Sequence, residues 1–408
     1  MFCFPVFPFS VLVLLFFLLE NIMSSQKKNT GPNFMKSIYK ELTLLFKNAI
    51  EKTFPTLADP PVILQRSDFA DFQCNSALKL VKMIPEKNSP MVIANKIIEN
   101  FDDNDIIDSV TVSGPGFINI VILNSFVAQQ ILNIVTEGVK IQLTDAQKEE
   151  RIIVDYSSPN IAKEMHVGHL RSSIIGDSVA RLLEFVGFSI LRLNHIGDWG
   201  TQFGMLLAHL QDKYPDYQNN PPPIANLQIF YKESKKRFDE DPEFKKRAYE
   251  TTVRLQSKER EMIQAWKLIC DISRKEFSDV YKILNISNQL HERGESFYHD
   301  LMPRLVQDLT ERNLLVEEDG RKVFYPTDKS LPPLTIVKSD GGFTYDTSDM
   351  AAIKHRIEEE KASRIIYTVD VGQGVHFQTL FDCASIAGYY DSAKTRLDHL
   401  SFGVVLGK

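Results

Sequence analysis

Two histidines, His166 and His169, flank a Val167-Gly168 pair inside the run Ser157-Ser158-Pro159-Asn160-Ile161-Ala162-Lys163-Glu164-Met165-His166-Val167-Gly168-His169-Leu170. An apolar stretch, Ile152-Ile153-Val154, leads in, and an amphipathic stretch leads out. A strand-to-helix junction at the carboxyl edge of a parallel sheet is a usual ligand position. Free N–H groups and the helix dipole attract anions there. Histidines three apart can face one ligand. Their N–H groups can donate to oxygens whose charge grows during displacement at phosphorus. Gly168 has no side chain, so a flat base could lie against its backbone. On this spacing alone, a metal-binding pair and two structural histidines stay open as alternatives. The first lacks the i, i+4 spacing and the Glu of the zinc peptidase motif. No GxxxxGK[ST] loop is present, and Gly197-Asp198-Trp199-Gly200 is not a dinucleotide fingerprint. The loop therefore points to nucleotide chemistry without either common phosphate motif.

The surrounding pattern predicts the elements that must hold it: a strand over 151–156, a helix over 168–186, a strand over 188–193 and a helix over 200–212. Leu170, Ile174, Ile175, Val179, Leu182 and Val186 form one apolar stripe. Gly187 sits where a C-cap glycine belongs. This βαβ pattern implies a parallel sheet with a right-handed crossover. The proline-rich run Asn219–Pro223 ends it. A charged helical segment over 225–284, a short helix near 297–312 and two hairpins make up an insertion of 213–343. The hairpins turn at Asp319-Gly320 and at Ser339-Asp340-Gly341-Gly342. The βα pattern resumes with Ile365–Val369, a helix over 375–387 stopped by Gly388, and a last strand, Phe402–Leu406. Upstream, a helix over Phe34–Thr53 carries Ile38, Leu42, Leu45, Phe46 and Ala49 at helical spacing, and a second lies near Asn75–Met83. Val110–Val112 and Phe117–Val121 read as a hairpin joined by Ser113-Gly114-Pro115-Gly116. The fold class expected is α/β. A Rossmann-like parallel-sheet domain with a helical and hairpin insertion spans 143–408. A small α+β domain, 34–142, precedes it, and 1–33 form an apolar extension and a flexible linker.

Apolar residues at 43% and charged residues at 25% fit an ordinary globular protein. The net charge of −6 provides no global basic field, so a nucleic-acid partner must be held by local patches. Lys232, Lys235, Lys236, Arg237, Lys245, Lys246 and Arg247 are candidates, although interleaved acids also suit a solvated helix face. Cys3, Cys74, Cys270 and Cys383 show no zinc spacing and no disulfide framework, so a reduced cytoplasmic protein is the simple reading. Phe2–Leu19 are almost wholly apolar. A membrane anchor or signal, a buried helix, and an upstream extension to a chain that starts at Met23 all fit them. The extension is favoured, and membrane association is not expected. No basic residue precedes Lys27, and Met23-Ser24-Ser25-Gln26-Lys27-Lys28 reads as an ordinary start.

Ser158-Pro159-Asn160-Ile161-Ala162-Lys163 followed by His166-Val167-Gly168-His169 resembles the signature region of class I aminoacyl-tRNA synthetases in their arginyl form, of eukaryotic cytosolic type. The likeness continues in Leu170-Arg171-Ser172-Ser173-Ile174-Ile175-Gly176-Asp177 and in Leu193–Gly204. It recurs in Tyr367–Gln378, and it covers residues 34–408. The resemblance implies ATP-dependent activation of arginine, then esterification of the 3′ end of tRNA(Arg), with tRNA needed for the first step. It implies ATP as substrate, with Mg²⁺ expected and its ligands unassigned, and it is compatible with a multi-synthetase assembly.

By the same resemblance, His166, Gly168 and His169 bind ATP. His166, His169 and Lys163 act on the phosphates. Ser158, Pro159, Asn160, His169, Glu295, Tyr345, Asp349 and Gln373 bind arginine. Two carboxylates suit a planar guanidinium and disfavour lysine. Phe117 and Asn119 match base-contacting positions of the domain that touches the tRNA elbow, where an aromatic stacks and an amide reads an edge. Taken singly, each has an ordinary structural alternative. Asp349 could cap a helix beginning near Met350, Glu295 could be a surface carboxylate beside Arg293, Gln373 could be a turn residue, and Phe117 could be core. The family continues into a KMSKS-like phosphate-closing loop and a helical anticodon-binding domain. Neither is expected within the 408 residues, so a truncated ligase is the expectation. A catalytically inactive tRNA-binding or scaffold fragment is the alternative.

Overall fold

The computed structural model describes residues 37–85, 88–141, 143–220, 227–403 and 405; the apolar extension and linker expected over 1–33 lie outside them. The chain forms two compact units that divide between Thr144 and Asp145.

The first unit begins with helix α1 (Ile38–Thr53), whose N-cap Ser37 accepts from the Lys40 N–H. Leu42, Phe46, Ala49 and Ile50 line its buried face. Strands β1 (Leu64–Arg66) and β2 (Phe72–Cys74), helices α2 (Ser76–Leu80) and α3 (Pro90–Glu99), strands β3 (Ile107–Ser113) and β4 (Phe117–Ile122), and helix α4 (Asn124–Glu137) follow. The sheet runs β1-β2-β4-β3 and is antiparallel throughout. Alternation along β4 sends Ile118, Ile120 and Ile122 into the core. Phe117 and Asn119 point to the other face, half-buried. There Asn119 accepts from Gln73 at 3.0 Å and donates to Ser113 at 2.9 Å.

The second unit holds α5 (Asp145–Lys148), β5 (Arg151–Asp155), α6 (Val167–Val186), β6 (Ser189–Asn194) and α7 (Thr201–Lys213). Helices α8 (Leu227–Glu240), α9 (Pro242–Gln256) and α10 (Arg260–Ile283), strand β7 (Leu290–Glu292), and helices α11 (Glu295–Tyr298) and α12 (Met302–Glu311) come next. A small antiparallel sheet, β10-β9-β8, is built from β8 (Val316–Glu318), β9 (Arg321–Phe324) and β10 (Leu334–Val337). The chain then runs through α13 (Tyr345–Glu358), β11 (Arg364–Tyr367), α14 (Gly374–Ile386) and β12 (Arg396–His399). The main sheet is β12-β11-β5-β6-β7, with every pair parallel. Strand β5 lies at its centre, and Ile152, Ile153 and Val154 are fully buried, as an interior parallel strand requires. Helix α6 ends at Gly187 in the left-handed region, and the Gly187 and Phe188 N–H groups close onto the Leu183 carbonyl.

Two expectations change. Among the described residues the last sheet strand is Arg396–His399, which was not expected, and the expected strand Phe402–Leu406 falls partly outside them. Arg396–His399 is a short charged edge strand, with Arg364 and Arg396 sharing Asp398, so no apolar run announced it. Of the apolar run, Phe402 makes only an isolated bridge with Asp370, and Val404 and Leu406 lie outside the described residues. The charged segment 225–284 is three helices. Asp241 caps α9 with Pro242 at its first position, and Lys258 takes a positive φ before α10. Among the described residues no helix is long and apolar enough to cross a membrane.

Candidate active site

The loop after β5 crosses the carboxyl edge of the sheet, and its backbone is held from three sides. Ser157, Ser158 and Ala162 all take positive φ, unusual for residues with a Cβ. The Ser157 N–H donates to Ser172 Oγ of α6 at 2.8 Å, and that hydroxyl donates to the Thr368 carbonyl at the end of β11 at 2.6 Å. The Ser158 N–H donates to Asn194 Oδ1 at 2.9 Å, and Ser158 Oγ donates to Asp155 at 3.2 Å. Pro159 is buried, and its carbonyl accepts from the Gly197 N–H at 3.0 Å. Asn160 forms a parallel bridge with Gly197. A Cβ on Gly197 would collide with the Asn160 amide oxygen, so glycine lets the loop approach the 194–198 segment.

His166 is the N-cap of α6. Its Nδ1 accepts from the Gly168 N–H at 3.1 Å, and His169 Nδ1 accepts from the His166 N–H at 3.2 Å. The two rings lie 3.9 Å apart. Each Nδ1 is an acceptor, so each neutral ring carries its proton on Nε2. Burial, then the neighbouring His166, push His169 down to about 4, which keeps it neutral at physiological pH. The pair thus presents two Nε2–H donors at a helix start. The room over Gly168 is taken by the His166 ring, with Cε1 2.9 Å from where a Cβ would stand. Lys163 is exposed, and its ammonium lies over the Tyr231 ring, 5.5 Å from the centroid. Both line a cleft of about 460 Å³ together with His166 and Lys232.

The predicted acidic residues meet around the 194–198 segment. Asp349 is the fifth residue of α13; Thr344 caps that helix, so Asp349 is free of the capping role. His376 Nε2 lies 2.8 Å from Asp349 Oδ2, and His195 Nε2 lies 3.8 Å from Oδ1. Burial pushes the Asp349 carboxyl up. The His376 hydrogen bond and the charges of His195, His376 and Arg356 outweigh it and leave the group below its ordinary value. Glu295 opens α11, where its N–H donates to the Ile196 carbonyl. Burial, then Asp198 and Asp349, push its carboxyl up to about 8. Asp198 accepts from the Ser296 N–H and hydroxyl at 2.8 and 2.6 Å. Tyr345 is exposed, with its ring 5.4 Å from that of His376. Gln373 is exposed one turn before His376, at the start of α14.

The geometry therefore gathers Asn160, Glu295, Asp349 and Tyr345, with the His166–His169 cap on the neighbouring strand–helix loop. Phe117 and Asn119 belong to the first unit's sheet. Sequence reasoning assigned no role to His195, His376, Asp198 or Asp346, although each stood beside or within a quoted motif. For His376 the sequence held no further signal, because its two acids come from a different helix. In the basic run, Arg237 and Arg247 pair with Asp212, and Lys235 pairs with Asp239, so much of that charge is locally neutralised.

A parallel sheet with a histidine-capped helix start and an acidic cluster beyond the carboxyl ends of its strands defines an α/β protein of the Rossmann-like class. Residues 130–408 match the model for the catalytic domain of class I tRNA synthetases (R), and residues 40–122 match the arginyl tRNA synthetase N-terminal domain. The chain belongs to the arginyl family of class I tRNA synthetases. It is 54% identical over 388 residues to the cytoplasmic arginine–tRNA ligase of Bos taurus and 52% identical over 388 residues to that of Homo sapiens. Each match covers 94% of this chain and 58% of the relative, so the chain spans a little over half the relatives' length. The arginyl-tRNA synthetase of Plasmodium falciparum superposes with a TM-score of 0.82 at 33% identity, covering 92% of this chain and 66% of that one. The Thermus thermophilus arginyl-tRNA synthetase shares the fold, with a TM-score of 0.67 at 19% identity, covering 89% of this chain and 65% of that one.

Proposed function

We propose that this chain carries the machinery of an arginine–tRNA ligase. It activates L-arginine with ATP to arginyl-adenylate, releases pyrophosphate, and transfers arginine to the 3′ end of tRNA(Arg). The observation that carries this reading is the acidic pocket, where Asp349 and Glu295 converge beside Asp198 with no Lys or Arg among the described residues ion-paired to Asp349. A guanidinium satisfies such a pocket, because its planar fork meets carboxylates in bidentate geometry. Asn160 and Gln373 take the α-amino and carboxylate end, with Ser158 and Pro159 forming the adjoining wall. The Nε2–H groups of His166 and His169 donate to phosphate oxygens as negative charge builds on them. Lys163 supplies a positive charge near the same cleft. Mg²⁺ enters with the nucleotide; among the described residues no group of three or more His, Cys, Asp or Glu could hold a metal alone. Phe117 and Asn119 contact tRNA bases from the first unit. Relatives at about half identity are named cytoplasmic, which supports a cytoplasmic location.

Pyrophosphate exchange tests the reading, measured on this chain and on a version continued to the relatives' length. Exchange that requires arginine, ATP and cognate tRNA is the expected result. Exchange driven by another amino acid overturns it. The length coverage of 58% favours one alternative, a tRNA-binding fragment without catalysis. Retained tRNA binding with no exchange in the 408-residue chain, and exchange restored in the longer version, is its signature.

A further inference from the structure

Asp346 and Asp349 lie three residues apart on α13, on one face of the helix. His376, from α14, bridges them: Nε2 is 2.8 Å from Asp349 Oδ2, and Nδ1 is 3.6 Å from Asp346 Oδ1. Asp346 is itself fixed, because its Oδ2 accepts from the Thr335 N–H at 2.7 Å. The imidazole therefore aims Nε2 at one oxygen of Asp349, with the Asp346 carboxylate beside its other nitrogen. Among the described residues, the ion-pair partner of the other oxygen, Oδ1, is His195 at 3.8 Å, beyond hydrogen-bond reach. Asp349 keeps 28% of its side chain exposed.

We infer that His376 is a positioning residue for guanidinium recognition: it holds Asp349 in the one orientation that leaves Oδ1 open to the substrate. This rests on the arginine reading above. Without His376, the Asp349 carboxylate faces Glu295 and Asp346 with nothing to hold its two torsions. The groups that face His376 are Asp346, Asp349 and Tyr345 of α13 and, across Asp349, His195. Burial lowers the imidazole's pKa, but the two carboxylates outweigh it and raise the pKa overall. At low pH the imidazolium therefore competes with the incoming guanidinium for Asp349. As pH rises and the imidazolium loses its proton, only its positioning role remains.

Equilibrium binding of arginine and agmatine to the 408-residue chain tests this. Agmatine keeps the guanidinium and lacks the carboxylate. At pH 8, His376→Ala is expected to weaken both ligands at least about tenfold, the scale of one hydrogen bond to a charged group. His376→Gln keeps an N–H toward Asp349 and should stay within about threefold. The gap between wild type and His376→Ala should narrow at pH 6, which a merely structural role would not produce. If His376→Ala does not fold, His376→Gln decides: its arginine affinity should vary less between pH 6 and 8 than that of wild type. Loss of arginine but not agmatine in the Ala variant overturns the inference by placing His376 at the carboxylate end. Unchanged affinity also overturns it and leaves the arginine reading standing. A wild-type chain that binds neither ligand overturns both.

Discussion

Glu295 bears the electrostatic strain of the acidic pocket, and its effect on stability has a definite sign. In the unfolded chain this carboxyl titrates near its ordinary 4.5; in the folded chain burial, Asp198 and Asp349 hold it protonated up to about 8. Between those values the unfolded state has released a proton that the folded state keeps. Folding stability therefore falls as pH rises through the window. Glu295→Gln removes that penalty. The variant should melt a few degrees above wild type at pH 8 and close to it at pH 5, while binding arginine more weakly. A lower melting point at pH 8 would show that lost hydrogen bonds outweigh desolvation. Asp349 and Glu295 were legible in the sequence because their motifs fixed their spacing. His376 was not: one histidine near the start of an apolar helix looks the same whether it packs or clamps. Only the placement of α14 against α13 separates the two.

Among the elements, α6 shows how a cap and a proposed catalytic group can be one residue. His166 uses Nδ1 for the helix and leaves Nε2 for a ligand. Substitutions can separate the jobs. His166→Ala should lose about 1 kcal/mol of stability with the cap, whereas Asn, itself a good cap, should keep it. Both should slow adenylate formation by about 10²–10³-fold if Nε2 serves the phosphates. Thermal melts beside exchange rates check the split; normal exchange in His166→Asn would remove the histidine from the chemistry. Helix α13 is tied to β5 by Arg356 and Asp155, 2.6 Å apart and both buried. Arg356→Met leaves that aspartate uncompensated, and about 3–5 kcal/mol of stability should be lost in denaturant unfolding. A loss under about 1 kcal/mol would mean that Asp155 finds another partner. The α6 stripe and its glycine stop were readable from period alone. The breaks between α8, α9 and α10 depend on Pro242 and on a left-handed Lys258, which a charged helical pattern conceals.

Across the whole molecule, the parallel sheet was legible from its strand–helix alternation, and β5 from its unbroken apolar run. Its outer strand was not, because Arg396–His399 is held by a shared aspartate and not by buried side chains. Hydrophobic patterning detects strands through burial, so an edge satisfied by ion pairs leaves no trace in it. The active-site loop is the reverse case: irregular by pattern, yet fastened into the centre of the second unit. The Ser157 amide lies in that loop and is buried on Ser172 Oγ, whose own proton is spent on the Thr368 carbonyl. Solvent reaches that amide only when α6 and the end of β11 part. In deuterium exchange, the Ser157 N–H should therefore be replaced on the slow timescale of the strand interior, far behind the exposed turn at Asp319 and Gly320. The slowest clock in a loop would then mark where the proposed nucleotide chemistry is anchored.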